Sequence, residues 1–160
     1  MTGLEIERKL IIKIPDEKLL SGLDGYTESK IEQIYLSAHP PFSSHRVRRR
    51  EYSDGRVLFF ETAKRRVGAI SAEEYEALAT GIEEGTRPVR KIRKTFPFCG
   101  KVFEIDIYPE WNSTCIMEVE LLSENETVAF PPFVEIVCEV SGKGEYSNHA
   151  MSKKFPPEIK

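Results

Sequence analysis

Charged residues in this chain recur at every second position, and like charges recur together. Glu5 and Glu7 precede Lys9, Glu74 and Glu76 flank Tyr75, Glu104 and Asp106 flank Ile105, and Glu118 and Glu120 flank Val119. On the basic side, Arg46, Arg48 and Arg50 alternate, and Lys91 and Arg93 flank Ile92. Carboxylates are hard oxygen donors of the kind Mg²⁺ and Mn²⁺ prefer. Lys9, Arg46, Arg48, Lys64, Lys91 and Arg93 are the donors that phosphate oxygens prefer, arginine as a bidentate fork. Together they suit a chain of phosphates accompanied by a divalent cation. No glycine-rich phosphate loop is present, and His39, His45 and His149 are scattered rather than spaced as metal ligands.

A spacing of two is the period of a β-strand, so each of these stretches has one charged and one apolar face. Leu4, Ile6, Leu10 and Ile12 oppose the charged face of the first, with Arg8 as its exception. Phe103, Ile105 and Ile107 oppose Glu104 and Asp106, and Met117, Val119 and Leu121 oppose Glu118 and Glu120. A merely solvated face would mix Thr, Ser, Gln and Lys. Like charges at i and i+2, only about 7 Å apart, repel and call for compensation from opposite charges or a bound ion.

The pattern predicts strands at Leu4–Lys13, Ile31–Ser37, His45–Tyr52, Arg56–Lys64, Glu73–Leu78, Val89–Thr95, Lys101–Tyr108, Thr114–Leu122 and Phe133–Val140. Ser53-Asp54-Gly55 and Cys99-Gly100 read as tight turns. Two short helices are expected, at Asp16–Leu23 and at Tyr146–Phe155. Ala72–Ala79 fits either an acidic strand or a helix. The expected class is mainly β with few helices, in a single domain over all 160 residues.

Composition narrows the function. A net charge of −3, from 23 basic and 26 acidic residues, is unlike a protein that lives on nucleic-acid backbone. No apolar run reaches the roughly 20 residues of a membrane span, and the N-terminal residues are charged at once, so a cytoplasmic protein is expected. Cys99, Cys115 and Cys138 form no Cys-x-x-Cys pair and are expected as reduced, mostly buried thiols.

The ordered motifs resemble a known family. Leu4-Glu5-Ile6-Glu7-Arg8-Lys9-Leu10 is similar to the N-terminal Glu-x-Glu-x-Lys signature of the CYTH superfamily, the triphosphate tunnel metalloenzymes. Gln33-Ile34-Tyr35-Leu36, Arg46-Val47-Arg48, Thr62-Ala63-Lys64, Lys91-Ile92-Arg93, Phe103-Glu104-Ile105-Asp106, Met117-Glu118-Val119-Glu120-Leu121, Glu139-Val140-Ser141 and Tyr146-Ser147-Asn148 follow in the family's order. Residues 68–76 resemble a further family segment, and the match at Ser71, Glu74, Tyr75 and Glu76 favours the strand there; Ala72 departs from it, standing where an arginine is usual.

The resemblance implies a closed eight-stranded antiparallel barrel forming a tunnel, with a C-terminal helix against one mouth. It implies a triphosphatase dependent on Mg²⁺ or Mn²⁺, acting on inorganic tripolyphosphate, a small-molecule substrate. Lys9, Arg46, Arg48, Lys64, Lys91 and Arg93 would bind the triphosphate, and Glu5, Glu7, Asp106, Glu118 and Glu120 the metal. Lys9, Glu74 and Glu76 would serve catalysis, the two glutamates by orienting water or a second ion. The same resemblance admits a thiamine triphosphatase or an adenylate cyclase, the latter with Tyr35, Phe42, Tyr108 and Trp111 as candidate walls for a nucleoside. A non-catalytic polyphosphate- or RNA-binding module is the alternative of another class, resting on Arg46–Arg50 and Lys64-Arg65-Arg66. Monomer and homodimer are both compatible with the sequence.

Overall fold

A computed structural model describes residues 6–37, 45–63 and 66–160. Within them lie nine strands: β1 (Ile6–Lys13), β2 (Thr27–Tyr35), β3 (His45–Tyr52), β4 (Val57–Ala63), β5 (Arg66–Ile70), β6 (Val89–Phe98), β7 (Lys101–Ile107), β8 (Thr114–Leu121) and β9 (Ile136–Glu139). Three short helices accompany them: α1 (Glu17–Ser21), α2 (Ala72–Ala79) and α3 (Asn148–Lys153), the last preceded by a 3-10 turn at Gly144–Tyr146. The class is mainly β, and the strand pairs are antiparallel. Among the described residues the pairing does not close into the expected eight-stranded barrel: they hold nine strands, of which β5 and β9 each have a single neighbour. The extra strand arises because Arg66–Ile70 folds straight back on β4, pairing Phe59 with Ile70 and Ala63 with Arg66.

The chain forms two compact units. The first runs up to Glu28, from Ile92 to Lys143 and from Pro157 to Lys160; the second runs from Ser29 to Lys91 and from Gly144 to Pro156.

In the first unit the strands lie in the order β6-β7-β8-β1-β9. Leu10, Ile12, Phe96, Phe103, Ile105, Cys115, Met117 and Val119 point to one side and are buried together under Leu20 of α1, with Phe130, Phe133 and Val134 packed against them. Burying a side chain of this size stabilises by roughly 1.5–3 kcal/mol, which fixes the register of every strand that supplies one. Asp16 caps α1 by accepting from the Leu19 amide at 3.0 Å. Cys99 and Gly100, with φ of 50° and 77°, make the two-residue hairpin that joins β6 to β7. Glycine takes such angles without strain, whereas Cys99 adopts them at some cost. Cys99 is exposed, Cys138 is half-buried, and burial pushes the Cys115 thiol up to about 12.

In the second unit the order is β5-β4-β3-β2. Val47, Ile34 and Leu36 pack with Tyr75 of α2, and Phe59 and Ile70 join them. The β3–β4 hairpin turns at Ser53-Asp54-Gly55, where Asp54 accepts from the Arg56 amide at 3.0 Å and Gly55 adopts a φ of 92°.

The strand expected at Glu73–Leu78 is a helix. Ser71 accepts from the Glu74 amide at 3.1 Å, and the Glu74 carboxylate accepts from the Ser71 amide at 3.2 Å. This reciprocal pair is a capping box, and it satisfies two amides that a helix start leaves orphaned. The Ser-x-x-Glu spacing that resembled a family strand is therefore here a helix-start signal.

Candidate functional site

The first unit carries a carboxylate face. Opposite its apolar core, β1 presents Glu7, Lys9 and the buried Ile11, and β8 presents Glu120, Glu118 and Ile116 directly across from them. On β7, Glu104 lies across from Glu118 and Asp106 across from Ile116. On β6, Arg93 lies across from Asp106. Two cations answer part of this negative charge. The Lys9 ammonium is 3.5 Å from Glu118. Arg93 donates through Nε and one terminal nitrogen to the two oxygens of Asp106, at 2.8 and 2.9 Å, and its other terminal nitrogen is 3.1 Å from Glu104. Burial acts to lower the Arg93 pKa, but the hydrogen bonds and charge of Asp106, with Glu104 and Glu118 behind them, raise it well above the ordinary guanidinium value.

Glu7 and Glu120 remain directly opposed, as do Glu104 and Glu118. Like charges directly across a ladder are destabilising. These four glutamates line a pocket of about 400 Å³ together with Gly100, Lys101, Val102 and Leu122. Among the described residues, no three His, Cys, Asp or Glu side chains converge closely enough to hold an ion in this conformation. The donor set nonetheless fits a hard divalent cation by its chemistry, with four carboxylates around one cavity. Asp106, expected among the metal ligands, is 2% exposed and has both oxygens engaged by Arg93. Glu5 lies outside the described residues.

The second unit carries an arginine face. Arg46, Arg48 and Arg50 alternate with the buried Val47, so their side lies away from the apolar cluster. Across from them on β2 stand Tyr35, Gln33 and Ile31, and on β4 Thr62, Phe60 and Leu58. No acidic residue occupies this side of β2, β3 or β4. The Arg48 guanidinium lies over the Phe60 ring at 5.5 Å, and Arg50 lies over Tyr52 at 5.0 Å while donating to the Ser29 hydroxyl at 2.9 Å. Such contacts orient a guanidinium without cancelling its charge. The Nε of Arg46 is buried without a hydrogen-bond partner. Lys91, 3% exposed, donates to Asn148 at 3.4 Å. Lys64 and Arg65 lie outside the described residues.

Glu74 and Glu76 are exposed on α2, whose Tyr75 packs with Val47 and Ile34. They sit on the opposite side of the second unit's sheet from Arg46 and Arg48, and the acidic strand expected to carry them is absent. Sequence reasoning omitted Glu104 from the ligand set, although Glu104-x-Asp106 carried the needed signal. It also gave no role to Gln33 or His149.

No family model matches the chain, and no curated protein does so by sequence. Solved structures do. In motif order and in fold the chain resembles the CYTH superfamily, the triphosphate tunnel metalloenzymes. It is similar in particular to the crystal structure of the inorganic triphosphatase NE1496, at 25% identity and a TM-score of 0.62 over 98% of this chain and 99% of that one. A second crystal structure, of the hypothetical protein NE1496, matches at 25% identity and a TM-score of 0.61 over 96% of this chain and 100% of that one. Among the described residues, no helix is long and apolar enough to cross a membrane.

Proposed function

We propose that this protein is a divalent-metal-dependent triphosphatase that hydrolyses a phosphoanhydride bond of inorganic tripolyphosphate. The observation that carries the reading is the segregation of like charge: carboxylates directly opposed across the ladders of one sheet face, and arginines alternating along another whose cross-ladder neighbours on β2 and β4 are not acidic. The likeness to an inorganic triphosphatase supports the choice of substrate.

Glu7, Glu118 and Glu120 would hold Mg²⁺ or Mn²⁺, with Glu104 beside them on the pocket wall and Glu5 from the preceding segment. The bound ion would supply charge neutralisation to the phosphate oxygens. Arg46, Arg48 and Lys91 would bind phosphate oxygens and offset the charge that develops as water attacks phosphorus and the bridging P–O bond breaks. Phosphoryl transfer depends chiefly on positioning and charge stabilisation, so fixed guanidinium and ammonium groups suffice for much of the rate. Lys9, tied to Glu118, and Arg93, tied to Asp106 and Glu104, link cation to carboxylate within the first unit and would tune both.

Orthophosphate release from tripolyphosphate, thiamine triphosphate and ATP, with Mg²⁺, with Mn²⁺ and with excess chelator, tests the proposal. Metal-dependent release from tripolyphosphate is expected. Cyclic nucleotide from ATP would reassign the chain to the cyclases. Tight tripolyphosphate binding without turnover in any metal would make it a binding module.

A further inference from the structure

Arg46 presents an unusual arrangement. Its Nε is withdrawn from water yet has no acceptor. Leaving a buried donor of a charged group unsatisfied costs more than a kilocalorie-scale neutral hydrogen bond gains, so such atoms call for a local reason. Directly across the β2–β3 ladder stands Tyr35, nearly fully buried, with Gln33 across from Arg48. Gln33, 1% exposed, donates from Nε2 to the Tyr35 hydroxyl oxygen at 3.1 Å. The other flank of Tyr35 is held by His149, whose ring stacks on it at 4.8 Å and 29°. His149 is fixed in turn by Glu83, 3.0 Å from its Nε2, and Glu83 also takes Lys153 at 3.3 Å. Burial raises the Tyr35 pKa, opposed by the charge and hydrogen bond of Arg46, so the phenol stays neutral at neutral pH and offers its oxygen to the guanidinium.

We propose that Tyr35 is a positioning residue for phosphate binding: clamped between Gln33 and His149, its hydroxyl fixes the orientation in which the Arg46 guanidinium meets an anionic oxygen. The inference rests on the proposed phosphate-binding role of the arginine face. It gives the C-terminal segment a part in that face, because His149 of α3 is one jaw of the clamp. Pre-organised donors lose less freedom when they meet a ligand, so the hydroxyl acts on affinity.

The test is tripolyphosphate affinity by titration calorimetry, together with KM and kcat, for Tyr35→Phe, Arg46→Ala and the double variant. Tyr35→Phe keeps the ring on His149 and removes only the oxygen. Affinity about tenfold weaker is expected, with the loss in KM rather than kcat and an unchanged melting temperature. In the Arg46→Ala background the same substitution should add nothing, since Tyr35 acts through Arg46. Wild-type affinity in Tyr35→Phe, or losses that add in the double variant, would overturn the positioning role while leaving the phosphate site standing. If Arg46→Ala itself binds tripolyphosphate as the wild type does, the phosphate reading of the arginine face falls and this inference with it.

Discussion

The carboxylate face of the first unit and the arginine face of the second are built from the same pattern, charges at every second strand position, yet they handle charge in opposite ways. On the carboxylate face, opposite charges meet: Lys9 approaches Glu118, and Arg93 reaches both Asp106 and Glu104. Beside these pairs, Glu7 stands directly across from Glu120. On the arginine face the neighbours across the ladders are aromatic, hydroxyl, amide or aliphatic rather than acidic. Ion pairs in the first unit give its cations a fixed geometry, while stacking in the second holds guanidiniums in place and keeps them attractive to a polyanion. The two faces thus call for opposite ligands.

The largest effect expected is on the carboxylate face. Glu120→Ala or Glu7→Ala should lower kcat at saturating metal by at least about 100-fold, because each removes a proposed ligand where even outer-shell losses cost 10–100-fold. Circular dichroism should be unchanged, since neither residue belongs to the apolar core. Retained kcat in either variant would remove that residue from the ligand set.

Next in size is Arg48→Ala on the other face. Loss of one charge-assisted contact costs roughly 1.5–3 kcal/mol, so kcat/KM for tripolyphosphate should fall by about 10- to 150-fold. Unchanged kinetics would mean that Phe60 holds this guanidinium for packing alone.

A smaller effect separates the faces in the absence of any ligand. Glu7→Gln relieves the repulsion across from Glu120, worth roughly 0.2–1 kcal/mol, and should raise the metal-free melting temperature by about 1–3 °C. Added Mn²⁺ should reverse the order by stabilising the wild type more than the variant. A lower melting temperature for metal-free Glu7→Gln would show that the opposed pair is already compensated.

The smallest effect concerns the first unit's C-terminal end. Glu158 accepts from the amides of Asn112, Ser113 and Thr114 and from the hydroxyls of Ser113 and Thr114. The Thr114 hydroxyl, foremost, and the amides hold its carboxyl down to about 2. Because the folded pKa lies below the unfolded value of about 4.3, the stabilisation is present above pH 4.3 and is lost as pH falls toward 2. Glu158→Gln should therefore flatten the melting-temperature profile between pH 4.3 and 2, with little change in activity at neutral pH.

Much of this was legible in the sequence, for a physical reason. Alternation at period two reports a strand buried on one side, and eight of the nine expected strands are present, His45–Tyr52 with the same bounds and the others with shifted ends. It also reports which side each charge takes: Glu118 and Glu120, and Arg46 and Arg48, share faces as their spacing requires. The strand β5 escaped because Arg66-Val67-Gly68-Ala69-Ile70 is short and exposed along most of its length, so no apolar face marks it. The helix α2 is the open alternative that gives way to a strand because the family resemblance outweighs the capping-box spacing of Ser71 and Glu74, a box which the structure shows formed. Closure was not legible at all, since alternation is the same in an open sheet and in a barrel. Nor could spacing reveal that Asp106 is held by Arg93, a pairing that depends on which strands become neighbours.

The β6–β7 hairpin has a practical use. Of the three thiols, only Cys99 is exposed, and it precedes Gly100 on the wall of the carboxylate pocket. Cys115 is buried, with a thiol that ionises only near pH 12, so an alkylating dye at neutral pH should attach first at Cys99. A solvent-sensitive fluorophore there would sit at the rim of the four glutamates. It would turn cation capture into an optical signal on the native sequence, read without any substrate being consumed.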